Sequence, residues 1–164
     1  MKLTARILLA TTLLMGCAAL QAQTPVTPAK DVEALFTSPD PKLHANKQVA
    51  YKIMKELLEA GHWDRANLYL TKRYIQHNPL AADGLDAVVT FFTKTLGVKP
   101  KPIPEKMATK VVSVVAEGDL VVVSIVREHK EPKDPSRTYT TTWFDMWRFV
   151  DGKADEHWDG QVKN

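Results

Sequence analysis

Apolar side chains recur at helical spacing over residues 46–60, where Val49, Ile53, Met54, Leu57 and Leu58 share one stripe. Asn46 supplies a capping side chain for this helix and Gly61 a stop. The pattern predicts a second helix from about residue 63 to 70, with Asp64 near its start. It predicts a third over 83–96, with Leu85, Val88, Val89, Phe92 and Leu96 turned inward and Gly97 closing it. Between them, Tyr74-Ile75-Gln76-His77-Asn78-Pro79 breaks the helical period. Pro79 disfavours helical dihedrals at Asn78, so His77 is placed on an extended or turn segment.

The period changes after the proline-rich connector 99–104. Residues 107–116 and 120–129 are β-rich runs around the turn Glu117-Gly118-Asp119, which predicts a hairpin. A charged loop is expected over 130–137, then a long strand over 138–150. Asp151-Gly152 forms a tight-turn pair, and 153–159 is the closing strand. Helices first and antiparallel strands later indicate the α+β class: N-terminal helices packed on a sheet.

The long strand carries the candidate chemistry. Side chains alternate across a strand, so Tyr139, Thr141, Trp143, Asp145, Trp147 and Phe149 share one face. A carboxylate on an aromatic face is costly unless it is paired or neutral. Such a group suits proton transfer on a bound organic molecule. The competing account gives Asp145 a solvent-facing or purely architectural role.

Composition narrows the class. The 164 residues are 45% hydrophobic and 25% charged, as in an ordinary globular domain. Of the formal charge of +3, Lys2 and Arg6 belong to the N-terminal segment, leaving about +1 on the rest. With no basic stripe among aromatics, no nucleic-acid partner is expected. Residues 1–22 have the form of a secretory signal: a short positive region, an apolar run over 7–15 too short to span a membrane, then small residues before a cut near Ala22. Leu14-Met15-Gly16-Cys17 offers a rival cut that would leave a lipid on Cys17. The location expected is therefore periplasmic or secreted, with a lipid anchor through Cys17 as the alternative. Residues 23–43, rich in proline, are expected as a flexible leader, and 44–160 as the domain.

Cys17 is the only cysteine, so the domain has no disulfide and no thiolate site. His44, His62, His77, His129 and His157 show no paired metal spacing, and no metal or cofactor is expected. On the closing strand, Asp155, His157 and Asp159 share one face and Ala154, Glu156 and Trp158 the other. Which of these turns inward depends on strand register. His129, at the edge of the charged loop, is assigned a solvated role.

The run Trp143-Phe144-Asp145-Met146-Trp147-Arg148-Phe149, continued through the Gly152-Lys153 turn to Glu156-His157-Trp158-Asp159, resembles the C-terminal signature of SnoaL-like proteins. These lie within the nuclear-transport-factor-2-like superfamily. Residues 74–79 resemble a motif of its predicted aldol-condensation branch. The resemblance covers roughly residues 44–160. It implies a strongly curved antiparallel sheet wrapped on helices, a cone or cystatin-like roll with a pocket at its wide end. It implies Asp145 as acid/base and His77 as a second acid/base or hydrogen-bond donor. Trp143 and Trp147, with Tyr74 and Phe149, would wall the pocket. The ligand implied is a small, largely apolar carbonyl compound, undergoing isomerisation, cyclisation or aldol-type chemistry. A homodimer through the open sheet is implied as well. The fold also hosts non-catalytic binders, and this chain departs from the enzymes in its export signal and in Ala154, where a larger aliphatic is usual.

Overall fold

The structure, a computed structural model, describes residues 23–163. The expected signal over 1–22, with Cys17, lies outside the described residues. Four short helical segments pack on one face of a five-stranded sheet. Helix α1 spans Val32–Leu35. Helix α2 spans Pro41–Lys52 and continues as a wider π turn over Ile53–Glu59. After a 3-10 turn at Trp63–Arg65 comes α3, Ala66–Tyr69, and then strand β1, Leu70–Gln76. Helix α4, Leu85–Thr90, widens likewise over Phe91–Thr95. Strands β2 (Val111–Glu117), β3 (Leu120–Glu131), β4 (Asp134–Val150) and β5 (Lys153–Asp159) complete the chain.

The sheet order is β1-β5-β4-β3-β2. Strands β2 to β5 pair antiparallel with their chain neighbours, while β1 pairs parallel to β5, so the sheet is mixed. The Asp151-Gly152 turn is as expected, both residues having positive φ (48° and 75°). Helices on one face of a bent sheet make this an α+β roll, as the resemblance implies.

Several boundaries differ from the sequence expectation. Helix α2 starts at Pro41 rather than 46, because the Asp40 carboxylate accepts from the Lys42 and Leu43 amides at 2.9 Å and proline occupies the first turn. Asn46 is thus a buried helix residue, not a cap. The second predicted helix ends at Tyr69, and the chain from Leu70 runs as a strand beside β5. The charged segment 130–137 extends β3 and β4, leaving a turn around Pro132. Residues 23–43, expected as a flexible leader, make contacts with the domain: the Ala29 amide donates to Val111 O at 2.8 Å, and the Val26 amide to Thr140 Oγ1 at 2.8 Å. Phe36 is fully buried.

The core runs from Phe36 and the α2 stripe (Ala50, Ile53, Met54, Leu57) to Val121, Val123, Trp147 and Phe149 on the sheet. Gly61 ends the π turn at φ +77°, and a Cβ there would meet Lys99 O at 2.8 Å. This close approach draws the connector across the end of α2. It is secured by Glu59, whose carboxylate accepts from the Ala108 and Thr109 amides and the Thr109 hydroxyl.

Candidate active site

Strand alternation turns Ile125 and Arg127 of β3, Trp143, Asp145 and Trp147 of β4, and His157 and Asp159 of β5 to the helix-covered face. Tyr74 and Gln76 on β1 extend the same wall. Opposite stand Met54 from the π turn after α2 and Val88, Phe91, Phe92 and Leu96 from α4 and its π turn. Together they enclose a cavity of about 440 Å³. That volume suits a small organic molecule, and the lining is mainly apolar with a polar group at one end.

The polar end is Asp145, 7% exposed, with His157, also 7% exposed. His157 Nε2 lies 3.2 Å from Asp145 Oδ1, and the Trp143 indole N–H donates to the same oxygen at 3.2 Å. His157 Nδ1 lies 2.7 Å from Gln76 Oε1. A carbonyl oxygen only accepts, so Nδ1 carries a proton. Asp145 Oδ2 has no hydrogen-bond partner among the described residues. Asp159 lies across from Asp145 in the β4–β5 register. Its Oδ2 accepts from Asn78 Nδ2 at 2.8 Å and its Oδ1 from the Gln161 amide at 2.9 Å.

Tyr74 supplies a second polar handle. Its hydroxyl oxygen accepts from Trp147 Nε1 at 3.1 Å, and its own proton has no acceptor among the described residues. Burial pushes the Tyr74 phenol far above its ordinary range; the Trp147 hydrogen bond opposes this, and the Asp145 and Asp159 charges add to it. Tyr74 is therefore a neutral O–H donor across the physiological range. On the helical side, Trp63 stacks on Phe92 at 3.8 Å between centroids, and its buried indole N–H is unpartnered among the described residues.

The expected site residues divide. Asp145, Trp143, Trp147 and Tyr74 line the cavity. Phe149 does not; it shares the inward face beyond Trp147 but packs into the core, paired with Ala154. His77 stands apart from Asp145. Its Nε2 lies 2.8 Å from Glu156 Oε1, and its ring stacks on Trp158, 4.9 Å between centroids. The reason is strand parity: Gln76, paired with His157, points inward, so His77 turns to the outer side with Glu156 and Trp158. Glu156 is held below its usual carboxylate range by the His77 hydrogen bond first and then by Arg148. The histidine that meets Asp145 is His157. Its partner Gln76 carried no sequence signal, because only the β1–β5 pairing brings the two together.

Fold and site together define a small-molecule pocket with an acid at its polar end, walled by a curved sheet and helices. The chain belongs to the SnoaL-like domain family, which matches residues 53–157. Solved structures share the fold at low identity. A nuclear-transport-factor-2-like protein of unknown function from Burkholderia pseudomallei aligns at TM-score 0.51 and 18% identity, covering 72% of this chain and 91% of that one. A candidate SnoaL-like polyketide cyclase from a Jannaschia species aligns at TM-score 0.51 and 16% identity, covering 76% and 91%. A cystatin-like protein of unknown function from Xanthomonas campestris aligns at 0.50 and 17%, covering 72% and 91%. No curated protein matches the sequence.

Proposed function

We propose that this protein binds a small, largely apolar carbonyl compound and transfers a proton on it, with Asp145 as the principal acid/base. The observation that carries the reading is the Asp145 carboxyl, 7% exposed, at the end of a 440 Å³ apolar cavity with His157 Nε2 3.2 Å away. Oδ1 is held by Trp143 and His157, which leaves Oδ2 for the ligand. A carbon acid placed there gives its proton to Oδ2. The electron pair moves to the carbonyl oxygen as an enolate, and the Tyr74 hydroxyl donates to that oxygen. Return of the proton to another carbon completes an isomerisation. Attack of the enolate on a second carbonyl completes a cyclisation or aldol-type condensation. His157, oriented by Gln76, steadies the charge on Asp145 in both directions. Polyketide-cyclase names among the structural relatives agree with this class of chemistry.

The same proposal places the protein outside the cytoplasm, in the periplasm or secreted, or held to a membrane by a lipid on Cys17; the signal-like sequence of residues 1–22 supports it. A homodimer through the outer sheet face is also proposed. Phe144 and Val115 there are 55% and 61% exposed, which is unusual for large apolar side chains.

A panel of aryl and cyclic ketones tests the central reading, with binding followed by thermal shift and turnover by chromatography. Asp145→Asn is expected to lower turnover at least about 100-fold while binding persists. His77→Ala is expected to leave both unchanged. Binding without turnover across the panel would favour a non-catalytic binder in the same pocket.

A further inference from the structure

Arg127 has no role in the proton-transfer scheme, yet its position is unusual. Register pairs Ile125 with Trp143 and Arg127 with Thr141, which puts an arginine on the inward, cavity-lining face of β3. Its guanidinium lies over the Trp143 indole at 3.7 Å to the ring centroid. It makes no hydrogen bond or ion pair with another side chain among the described residues. Stacking uses the flat face of a guanidinium and leaves its edge N–H groups to form a planar fork. Trp143 in turn donates its indole N–H to Asp145, so ring, arginine and acid form one rigid series.

From this we infer that the ligand is an anion: an apolar carbonyl compound carrying a carboxylate, which Arg127 receives at the cavity mouth while the carbonyl end reaches Asp145. This rests on the proton-transfer reading of the pocket and adds its substrate class. Electrostatics set the polarity of binding. Asp145 and Asp159 lie together at the inner end and repel a carboxylate there. Arg127 at the outer end attracts it, with Trp143 between them. The spacing follows from the indole: the guanidinium stacks on the Trp143 ring and Asp145 meets that ring's N–H, so the two groups stand about one indole apart. A carboxyl carbon four to six bonds from the carbonyl carbon spans that distance. Ligands with adjacent keto and carboxylate groups do not.

The test uses 6-oxo-6-phenylhexanoate and its methyl ester, each titrated into the full-length protein by calorimetry. The acid is expected to bind at least about tenfold more tightly than the ester, as a charge-assisted hydrogen-bonded pair implies. Arg127→Met keeps an unbranched apolar stem on Trp143 and, at an exposed position, leaves the fold intact. It is expected to bring the ratio near one without weakening the ester. Equal binding of acid and ester to the wild type, a ratio that survives in Arg127→Met, or binding of neither probe would overturn the inference. Asp145→Asn separates the two readings. An acid preference that depends on Arg127, with no loss of α-proton exchange in Asp145→Asn, would uphold the ligand class and reject the proton-transfer role.

Discussion

At the scale of single residues, the site depends on how few donors aim at how few acceptors. Asp145 Oδ1 is fixed by an indole and an imidazole, and Tyr74 accepts from Trp147. These bonds immobilise the acid on β4 and the hydroxyl on β1, on either side of β5. Trp147 is 1% exposed, and among the described residues its N–H has only Tyr74 as partner. Tyr74→Phe strands that donor in the core and is expected to cost about 1–3 kcal/mol in urea unfolding. If the hydroxyl also serves the enolate, the same variant lowers turnover more than it weakens ketone binding. A loss of stability alone, with turnover intact, would confine Tyr74 to architecture.

At the scale of elements, the parallel pairing of β1 with β5 decides the chemistry. It sets Gln76 beside His157 and turns His77 outward. An acid clamp fastens this edge: Arg73 and the Thr71 hydroxyl on β1 both donate to the buried Asp155 carboxylate on β5. The Arg73 guanidinium, with Thr71 adding and burial opposing, holds Asp155 below the usual carboxylate range. A carboxyl lowered in the folded state binds its proton more readily in the unfolded chain. Its contribution is full above the ordinary aspartate range, about pH 4, and is lost as pH falls through the lowered folded value. Urea midpoints measured from pH 7 to pH 2 are therefore expected to fall on the acid side. Asp155→Asn should lower the midpoint at pH 7 and flatten that fall; an unchanged slope would show that the clamp does not contribute.

The same edge shows what could be learned before any coordinates. Periodicity located the α2 and α4 stripes, the β2–β3 hairpin and the Asp151-Gly152 turn, because each is a local pattern. Alternation placed Trp143, Asp145 and Trp147 on one face correctly. Leu70–Gln76 was not legible as a strand because Lys72 and Arg73 interrupt its apolar residues and Thr71 looks inward only to meet Asp155. Without β1, only the resemblance of residues 74–79 points to a second acid/base, and it points to His77. His157 shares the inward face with Asp159, but strand parity alone did not say which face was inward. Phe149 shares the inward face by alternation, but how far the cavity extends along that face depends on what the helices cover, and beyond Trp147 they fill it with core.

At the scale of the whole molecule, the sheet has two faces with different work. The inner face holds the cavity. The outer face leaves Phe144 and Val115 in solvent, with Val122, Met146 and Trp158 half-buried beside them. If two copies pair across it, light scattering at micromolar concentration gives twice the chain mass, and Phe144→Glu returns it to one. A wild-type monomer at every concentration would leave that face without a self-partner.

The central claim is that Asp145 moves a proton on a bound ketone, and exchange at the carbon beside the carbonyl reads this step without knowledge of the natural substrate. Proton NMR of 6-oxo-6-phenylhexanoate methyl ester in heavy water follows the loss of the α-methylene signal. Wild-type protein is expected to accelerate that loss, and Asp145→Asn, binding the ester equally well, to slow it at least about 100-fold. Equal exchange with the two proteins, or no acceleration by a wild type that binds the ester, would contradict the account.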